Sequence, residues 1–316
     1  MIDEYRHIPV MFKECKEALG LTQGETYCDC TLGGAGHALG IAREIEPGGL
    51  LIGIDQDDFA LQTAKSRLAE EHPDLEFIPL YGNFSDLDDL LVEAEVVGVD
   101  GFLFDLGVSS PQLDIPERGF SYAREAPLDM RMSPGKQTIN AAEIINTSNA
   151  ADLTRILREY GEERWASRIV ELIVKARRVK PLETTTELTE LIKAAIPAGA
   201  RRAGGNPAKR TFQALRIAVN DEINALKNGL DAALRWLNPG GRIVVLSYHS
   251  LEDRIVKEAF ARAAKGCVCP PEAPICVCGH EPIIIKHTRK PLCAGEDEIL
   301  ANPRAKSARL RAATKR

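Results

Sequence analysis

The chain has 316 residues, 44% of them apolar and 27% charged, the balance of a water-soluble globular protein with room for one large domain or a core carrying an insertion. No run approaches the roughly 18 consecutive apolar residues that cross a bilayer, and Met1-Ile-Asp-Glu-Tyr-Arg-His7 lacks the pattern of a secretory signal, so a cytosolic location without membrane attachment is expected. A net charge of −6 argues against a surface that is basic all over, and eight cysteines, four of them crowded into residues 267–278, do not read as an evenly studded disulfide scaffold.

Residues 24–55 read as one strand–helix–strand unit. Glu25-Thr-Tyr-Cys-Asp-Cys-Thr31 is a short strand that runs into a glycine turn, Leu32-Gly-Gly-Ala-Gly-His37. Ala38–Glu46 suits a helix, Pro47-Gly-Gly49 breaks it, and Leu50-Leu-Ile-Gly-Ile54 is a buried-strand run ending at Asp55. Asp57–Glu71 predicts a helix, Leu75–Tyr81 a third strand and Gly98–Asp105 a fourth. This alternation predicts a parallel, doubly wound, Rossmann-like α/β sheet. From about residue 113 to 208 the alternation stops. Helical periodicity fills Ala150–Tyr160, Glu163–Arg178 and Thr186–Ala195 instead, so an all-helical insertion over 113–208 is expected in a core of 1–112 and 209–316. One long helix is predicted over Arg210–Trp236, a turn at Asn238-Pro-Gly-Gly241, and a fifth strand over Arg242–Ser247. Pro282–His287 and Ala308–Ala312 can supply a final strand pair.

A glycine turn between a first strand and a helix permits close backbone approach of a ligand, and an acid some 20 residues on, Asp55, suits a ribose diol. The turn departs from a dinucleotide fingerprint: Gly34 and Gly36 fit, but Leu39 stands at the third glycine position. Asp29, at the mouth of the first strand, would repel a pyrophosphate and favour an ammonium group. Asp105 places a second acid at the carboxyl end of the fourth strand, on the edge where open α/β sheets bind ligands. These residues point to S-adenosylmethionine, which is positively charged and carries no phosphate. Phe84, just after the third strand, is placed to stack on an adenine.

Longer segments carry a resemblance. They are His7-Ile-Pro-Val10, Asp29–His37, Asp105-Leu-Gly-Val-Ser-Ser-Pro-Gln-Leu-Asp114, Arg118-Gly-Phe-Ser-Tyr122 and Pro127-Leu-Asp-Met-Arg-Met132. Tyr160-Gly-Glu-Glu-Arg164, Arg210–Ile217, Ser247-Tyr-His-Ser-Leu-Glu-Asp-Arg-Ile-Val256 and Asn302–Ser307 continue it. Over nearly its whole length the chain resembles the bacterial small-subunit ribosomal RNA (cytosine-N4)-methyltransferases, the RsmH or MraW family. The resemblance implies a class I S-adenosylmethionine-dependent core with an inserted helical domain. It implies methylation of the exocyclic N4 amine of a cytidine in the decoding region of 16S ribosomal RNA, which tunes decoding at the ribosomal P site. It also implies cofactor contacts at Ala35, Gly36, His37, Asp55, Phe84, Asp105 and Gln112. Amine methylases of DNA often carry an Asn/Asp/Ser-Pro-Pro-Tyr turn after the fourth strand. This chain has Asp105-Leu-Gly-Val-Ser-Ser-Pro-Gln112, so the amine target rests on the resemblance alone.

A cytosine amine is a poor nucleophile and needs an acceptor for its protons as it pyramidalises. By position, Asp105 and the Ser109-Ser110-Pro111 turn are the expected acceptors, with Asp129 and His249 as outside candidates. A target base in folded RNA must be splayed out. The acid-free stretch 197–216, with Arg201, Arg202, Lys209, Arg210 and Arg216, and the basic C-terminus are expected to clamp the backbone of small-subunit RNA, free or in an assembling subunit. Cys267, Cys269, Cys276 and Cys278 could hold a structural zinc, although C-x-C is a weaker signal than C-x-x-C and the resemblance does not require a metal.

Overall fold

The computed structural model describes residues 9–202, 206–267, 269, 275 and 277–316, apart from the side chains of Ser110 and Arg202. The chain divides into two compact units, one of residues 1–107 with 224–316 and one of residues 108–223.

The first unit is built on a sheet. In chain order it starts with α1 (Phe12–Leu19), β1 (Thr26–Asp29), α2 (Gly36–Ile45), β2 (Leu50–Asp55), α3 (Asp58–Glu71), β3 (Glu76–Tyr81), α4 (Leu87–Glu93) and β4 (Val99–Asp105). Strands β1, β2 and β4 are almost wholly buried, as expected of parallel strands covered on both faces. Gly101 of β4 is forced by close packing, because a Cβ there would come within 2.5 Å of the Tyr27 ring. One core cluster gathers Cys15 and Leu19 of α1, Ile41 and Ile45 of α2, Leu61 and Leu68 of α3, and Leu51 and Leu103 of the sheet.

The second unit is helical: α5 (Ser110–Asp114), α6 (Ala141–Thr147), α7 (Ala150–Glu159), α8 (Ala166–Arg177), α9 (Thr185–Ala195), α10 (Ala198–Arg202) and α11 (Lys209–Asn220). Side-chain caps fix several starts: Asn140 accepts from Glu143 N–H, Asn149 from Asp152 N–H, and Thr184 pairs with Glu187 in a capping box. Leu153, Leu157, Ile169, Ile173, Leu188 and Phe212 join in one apolar core. The unit is wider at both ends than the expected 113–208. Helix α11 is the reason at the far end, because Phe212, Ala214 and Leu215 are buried in this core.

The single helix expected over Arg210–Trp236 is broken. Asp221 adopts a left-handed conformation, φ 48°, and its N–H caps α11 on Ile217 C=O before α12 (Glu222–Trp236) begins. Buried Asn220 stabilises the break, donating to Met130 C=O and accepting from Met132 N–H, both at 2.8 Å.

The sheet is completed by β5 (Leu237–Ser247), α13 (Ser250–Ala263), β6 (Ile284–Lys286), α14 (Glu296–Ala301) and β7 (Arg309–Lys315). The strand order is β3-β2-β1-β4-β5-β7-β6. Strands β1 to β5 are parallel, with Cys28 level with both Ile52 and Phe102, and Phe102 level with Ile243. Strand β7 enters antiparallel between β5 and β6, which is the expected final pair. The fold also uses up much of the basic C-terminus. Arg311 is buried and holds Asp253 through two bonds, Arg309 reaches the same carboxylate, and Lys315 Nζ donates to the carbonyl of Leu234.

Candidate active site

The carboxyl edge of β1, β2 and β4 gathers the acids picked out in the sequence. The chain leaves β1 at Asp29 and turns sharply through Gly33, φ 48°, and Ala35, φ 62°, before α2 begins at Gly36. Ala35 N–H closes the turn on Leu32 C=O at 2.8 Å. Gly36 must be glycine because a Cβ would meet the Pro9 ring at 2.6 Å, whereas a Cβ on Gly34 would meet nothing within 4 Å. Gly34 thus faces open space rather than packed side chains, and Arg67 pins that residue's carbonyl at 2.5 Å.

Asp29 is 1% exposed, and its Oδ1 accepts Thr31 N–H at 3.0 Å. Burial, reinforced by the charges of Asp105 and Asp55, pushes its pKa up to about 7 against the bond from Thr31. Asp55 Oδ2 accepts Gly33 N–H at 2.8 Å and Oδ1 accepts Asp57 N–H at 2.9 Å, so the acid of β2 braces the glycine turn. Burial raises its pKa to about 6, with Asp57 adding and the N–H bonds opposing. Asp105 is also raised to about 6, by burial first, with the Tyr248 hydroxyl opposing and Glu252 adding. Three carboxyls held above their ordinary range at one sheet edge form a site that gains from a cation. They suit the positive charge of S-adenosylmethionine and disfavour a pyrophosphate. Asp55 also has the acceptor capacity that a ribose diol needs.

The remaining expected residues fall in two groups. His37 is 7% exposed on α2, its Nε2 lies 3.7 Å from Asp105 Oδ2, and its ring sits 6.0 Å from Phe12. Phe84 opens a short 3-10 turn after β3 and packs edge-on against Phe104, centroids 5.6 Å apart. These belong to the sheet unit with Asp29, Gly34, Ala35, Gly36, Asp55 and Asp105. Ser109, Ser110 and Gln112 belong to the helical unit. There Gln112 is 6% exposed and its Oε1 accepts Ser109 N–H at 3.0 Å, so it caps α5.

Both outside candidates have structural duties. Asp129 is gripped by Arg131 through two bonds of 2.7 Å. His249 is the N-cap of α13 and accepts Glu252 N–H on Nδ1. Arg216, expected among the RNA-facing cations, is tied to Glu222 by two bonds of 2.7 Å. Cys267, Cys269 and Cys278 converge, whereas Cys276 lies outside the described residues.

With this geometry in hand, the sequence profile of the MraW methylase family matches residues 4–316. The chain belongs to the MraW methylase family. The ribosomal RNA small subunit methyltransferase H of Symbiobacterium thermophilum is 54% identical over 311 residues, covering 98% of this chain and 97% of that protein. The enzyme of the same name from Geobacter sulfurreducens is 54% identical over 314 residues, covering 98% and 99%. That from Halothermothrix orenii is 51% identical over 307 residues, covering 97% of both. The fold of this MraW methylase is thus that of the class I S-adenosylmethionine-dependent methyltransferases, with an inserted helical unit. No helix among the described residues is long and apolar enough to cross a membrane.

Two site residues of this MraW methylase escape sequence reasoning. Tyr248, just after β5, donates its hydroxyl to Asp105 Oδ1 at 2.6 Å. Thr31 Oγ1 accepts Asp105 N–H at 2.6 Å and lies 3.4 Å from Asp29 Oδ1, joining the ends of β1 and β4. Both sit immediately beyond a parallel strand's carboxyl end, and that position was the available signal.

Proposed function

We propose that the chain transfers a methyl group from S-adenosylmethionine to the exocyclic N4 amine of a cytidine in the decoding region of 16S ribosomal RNA. The reaction takes place in the cytoplasm, on the assembled or late-assembling small subunit, and tunes decoding at the P site. The observation that carries this reading is the charge-hungry trio of buried Asp29 and half-buried Asp55 and Asp105 around the glycine turn of a MraW methylase. The names of the relatives support the substrate class.

When bound, S-adenosylmethionine supplies an electrophilic methyl group on a sulfonium. Asp55 would hold the ribose diol, Asp29 would offset the ammonium charge, and Phe84 would stack on the adenine. Ala35, Gly36, His37 and Gln112 complete the proposed contacts. Asp105 has one oxygen committed to Tyr248, which leaves Oδ2 to accept a proton from the cytosine amine. A carboxyl with a pKa near 6 is ionised at neutral pH yet basic enough for that work. Ser109 and Ser110 are the alternative acceptors. The helical unit is the proposed RNA-recognition domain, with exposed Arg201, Lys209 and Arg210 as phosphate contacts.

The test is methyl transfer from radiolabelled S-adenosylmethionine to free small-subunit RNA, assembled small subunits and DNA, followed by nucleoside mass spectrometry. Label recovered as N4-methylcytidine from the subunit and not from DNA is the expected result. Label in another nucleoside overturns the N4 assignment. Cofactor binding without transfer to any acceptor favours a non-catalytic assembly factor.

A further inference from the structure

The four sequence cysteines at 267–278 lie in an excursion that the chemistry of the sheet edge does not use. The chain leaves α13 at Ala263 and returns at Ile283, whose N–H bonds back to Ala263 C=O at 2.9 Å. Between these points no helix or strand occurs among the described residues. Among the described residues here, Ile275 is 74% and Val277 85% exposed, so neither packs into a core. Described residues without an element or core of their own need another source of order.

Its sulfurs supply one. Cys267, Cys269 and Cys278 offer Sγ atoms that all lie within 4.8 Å of one another. The Cys267 and Cys278 sulfurs are 3.8 Å apart, far beyond a disulfide bond of about 2.05 Å. That distance is the edge of a tetrahedron whose centre lies about 2.3 Å from each sulfur, the zinc–thiolate bond length. Backbone amides point at the sulfurs as they do around thiolates bearing charge: Cys269 N–H donates to Cys267 Sγ and Val277 N–H to Cys269 Sγ, each at 3.4 Å. His280 reinforces the base, its Nδ1 lying 2.7 Å from Gly266 C=O.

We propose that Cys267, Cys269 and Cys278 bind one structural zinc ion as thiolates, and that this ion ties these three described positions together in place of an apolar core. The site takes no part in methyl transfer. Tetrahedral thiolate ligation selects zinc over the harder magnesium and calcium ions. Binding displaces a proton from each ligating thiol to solvent, and no electron transfer is involved.

The full chain, purified without chelator, is expected to carry one zinc per molecule by elemental analysis. Replacing zinc with cobalt(II) should give the intense sulfur-to-cobalt charge-transfer absorption of a tetrahedral thiolate site. Cys267→Ser and Cys278→Ser should each weaken zinc binding at least about tenfold, while Cys293→Ser, outside the cluster, should not. In case the ligand variants fail to fold, chelation of the wild-type protein provides a second measurement. It should leave far-ultraviolet dichroism unchanged and open the excursion to trypsin at Lys265. The proposal is overturned by substoichiometric zinc after incubation with excess zinc chloride, by a cobalt spectrum lacking the charge-transfer band, or by full zinc retention in Cys267→Ser.

Discussion

Asp29 carries the clearest energetic consequence of the site, because it is 1% exposed and its charge is therefore poorly screened by water. Its pKa is about 7 in the folded chain and 3.8 when solvated. Each unit of difference corresponds to 1.36 kcal/mol, so the ionised side chain opposes folding by about 4 kcal/mol at pH 8. The folded-state pKa is raised, so the carboxyl favours the fold fully below pH 3.8 and that contribution is lost as pH rises through 7. Asp29→Asn removes the ionisation and keeps an oxygen for the bond from Thr31 N–H. The variant should gain up to about 4 kcal/mol at pH 8 and about half as much at pH 5.5, with no gain below pH 3.8. Urea unfolding of both proteins, followed by circular dichroism at these pH values, measures the difference. With Asp29 offsetting the ammonium charge as proposed, the same substitution should also weaken S-adenosylmethionine binding about tenfold or more. A variant less stable than wild type at pH 8, or a difference that does not vary with pH, would refute the reasoning.

Three further outcomes follow from individual contacts. Tyr248→Phe removes the hydroxyl that opposes the upward shift of Asp105, so the acidic limb of the pH–rate profile should move to higher pH; an unmoved limb counts against Asp105 as the proton acceptor. Asn220→Ala strips buried bonds from Met130 C=O and Met132 N–H and should lower stability by about 2–4 kcal/mol in thermal unfolding, with loss of helical signal first. Lys209→Ala should weaken RNA binding and reduce the salt slope by about 1 while leaving the methylated nucleotide unchanged; a changed nucleotide would make Lys209 a specificity contact.

The parts of this fold legible in the sequence are those decided by local pattern. Leu50–Asp55 and Val99–Asp105 are buried on both faces, and such strands leave an apolar run whatever their neighbours. The glycine turn was legible for the same reason, since the backbone of Gly33–Gly36 is set within a few residues. The break at Asp221 was not. The apolar spacing continues smoothly across it, and Asp is only one of several residues that tolerate a left-handed conformation. What anchors it is Asn220 reaching Met130, 90 residues away. In the basic C-terminus, expected to meet RNA, strand pairing instead carries Arg311 inward to Asp253, a duty no local charge pattern announces.

The same distinction explains the site. Each acid was found on its own strand, but the groups that connect the acids were not. The bond from Asp105 N–H to Thr31 spans 74 residues of sequence and the one from Tyr248 to Asp105 spans 143. Parallel order β1-β4-β5 sets three strand ends side by side, so the residues just past those ends must meet. A reading that takes Thr31 after β1, Asp105 ending β4 and Tyr248 after β5 as one row recovers the network from topology alone. The strand order thus carries information about the site that no single motif holds, because it decides which ends are neighbours. Tyr248 holds the Asp105 carboxylate by one oxygen while Thr31 holds the same residue's backbone N–H, so Asp105 is fixed at side chain and main chain from the two neighbouring strand ends.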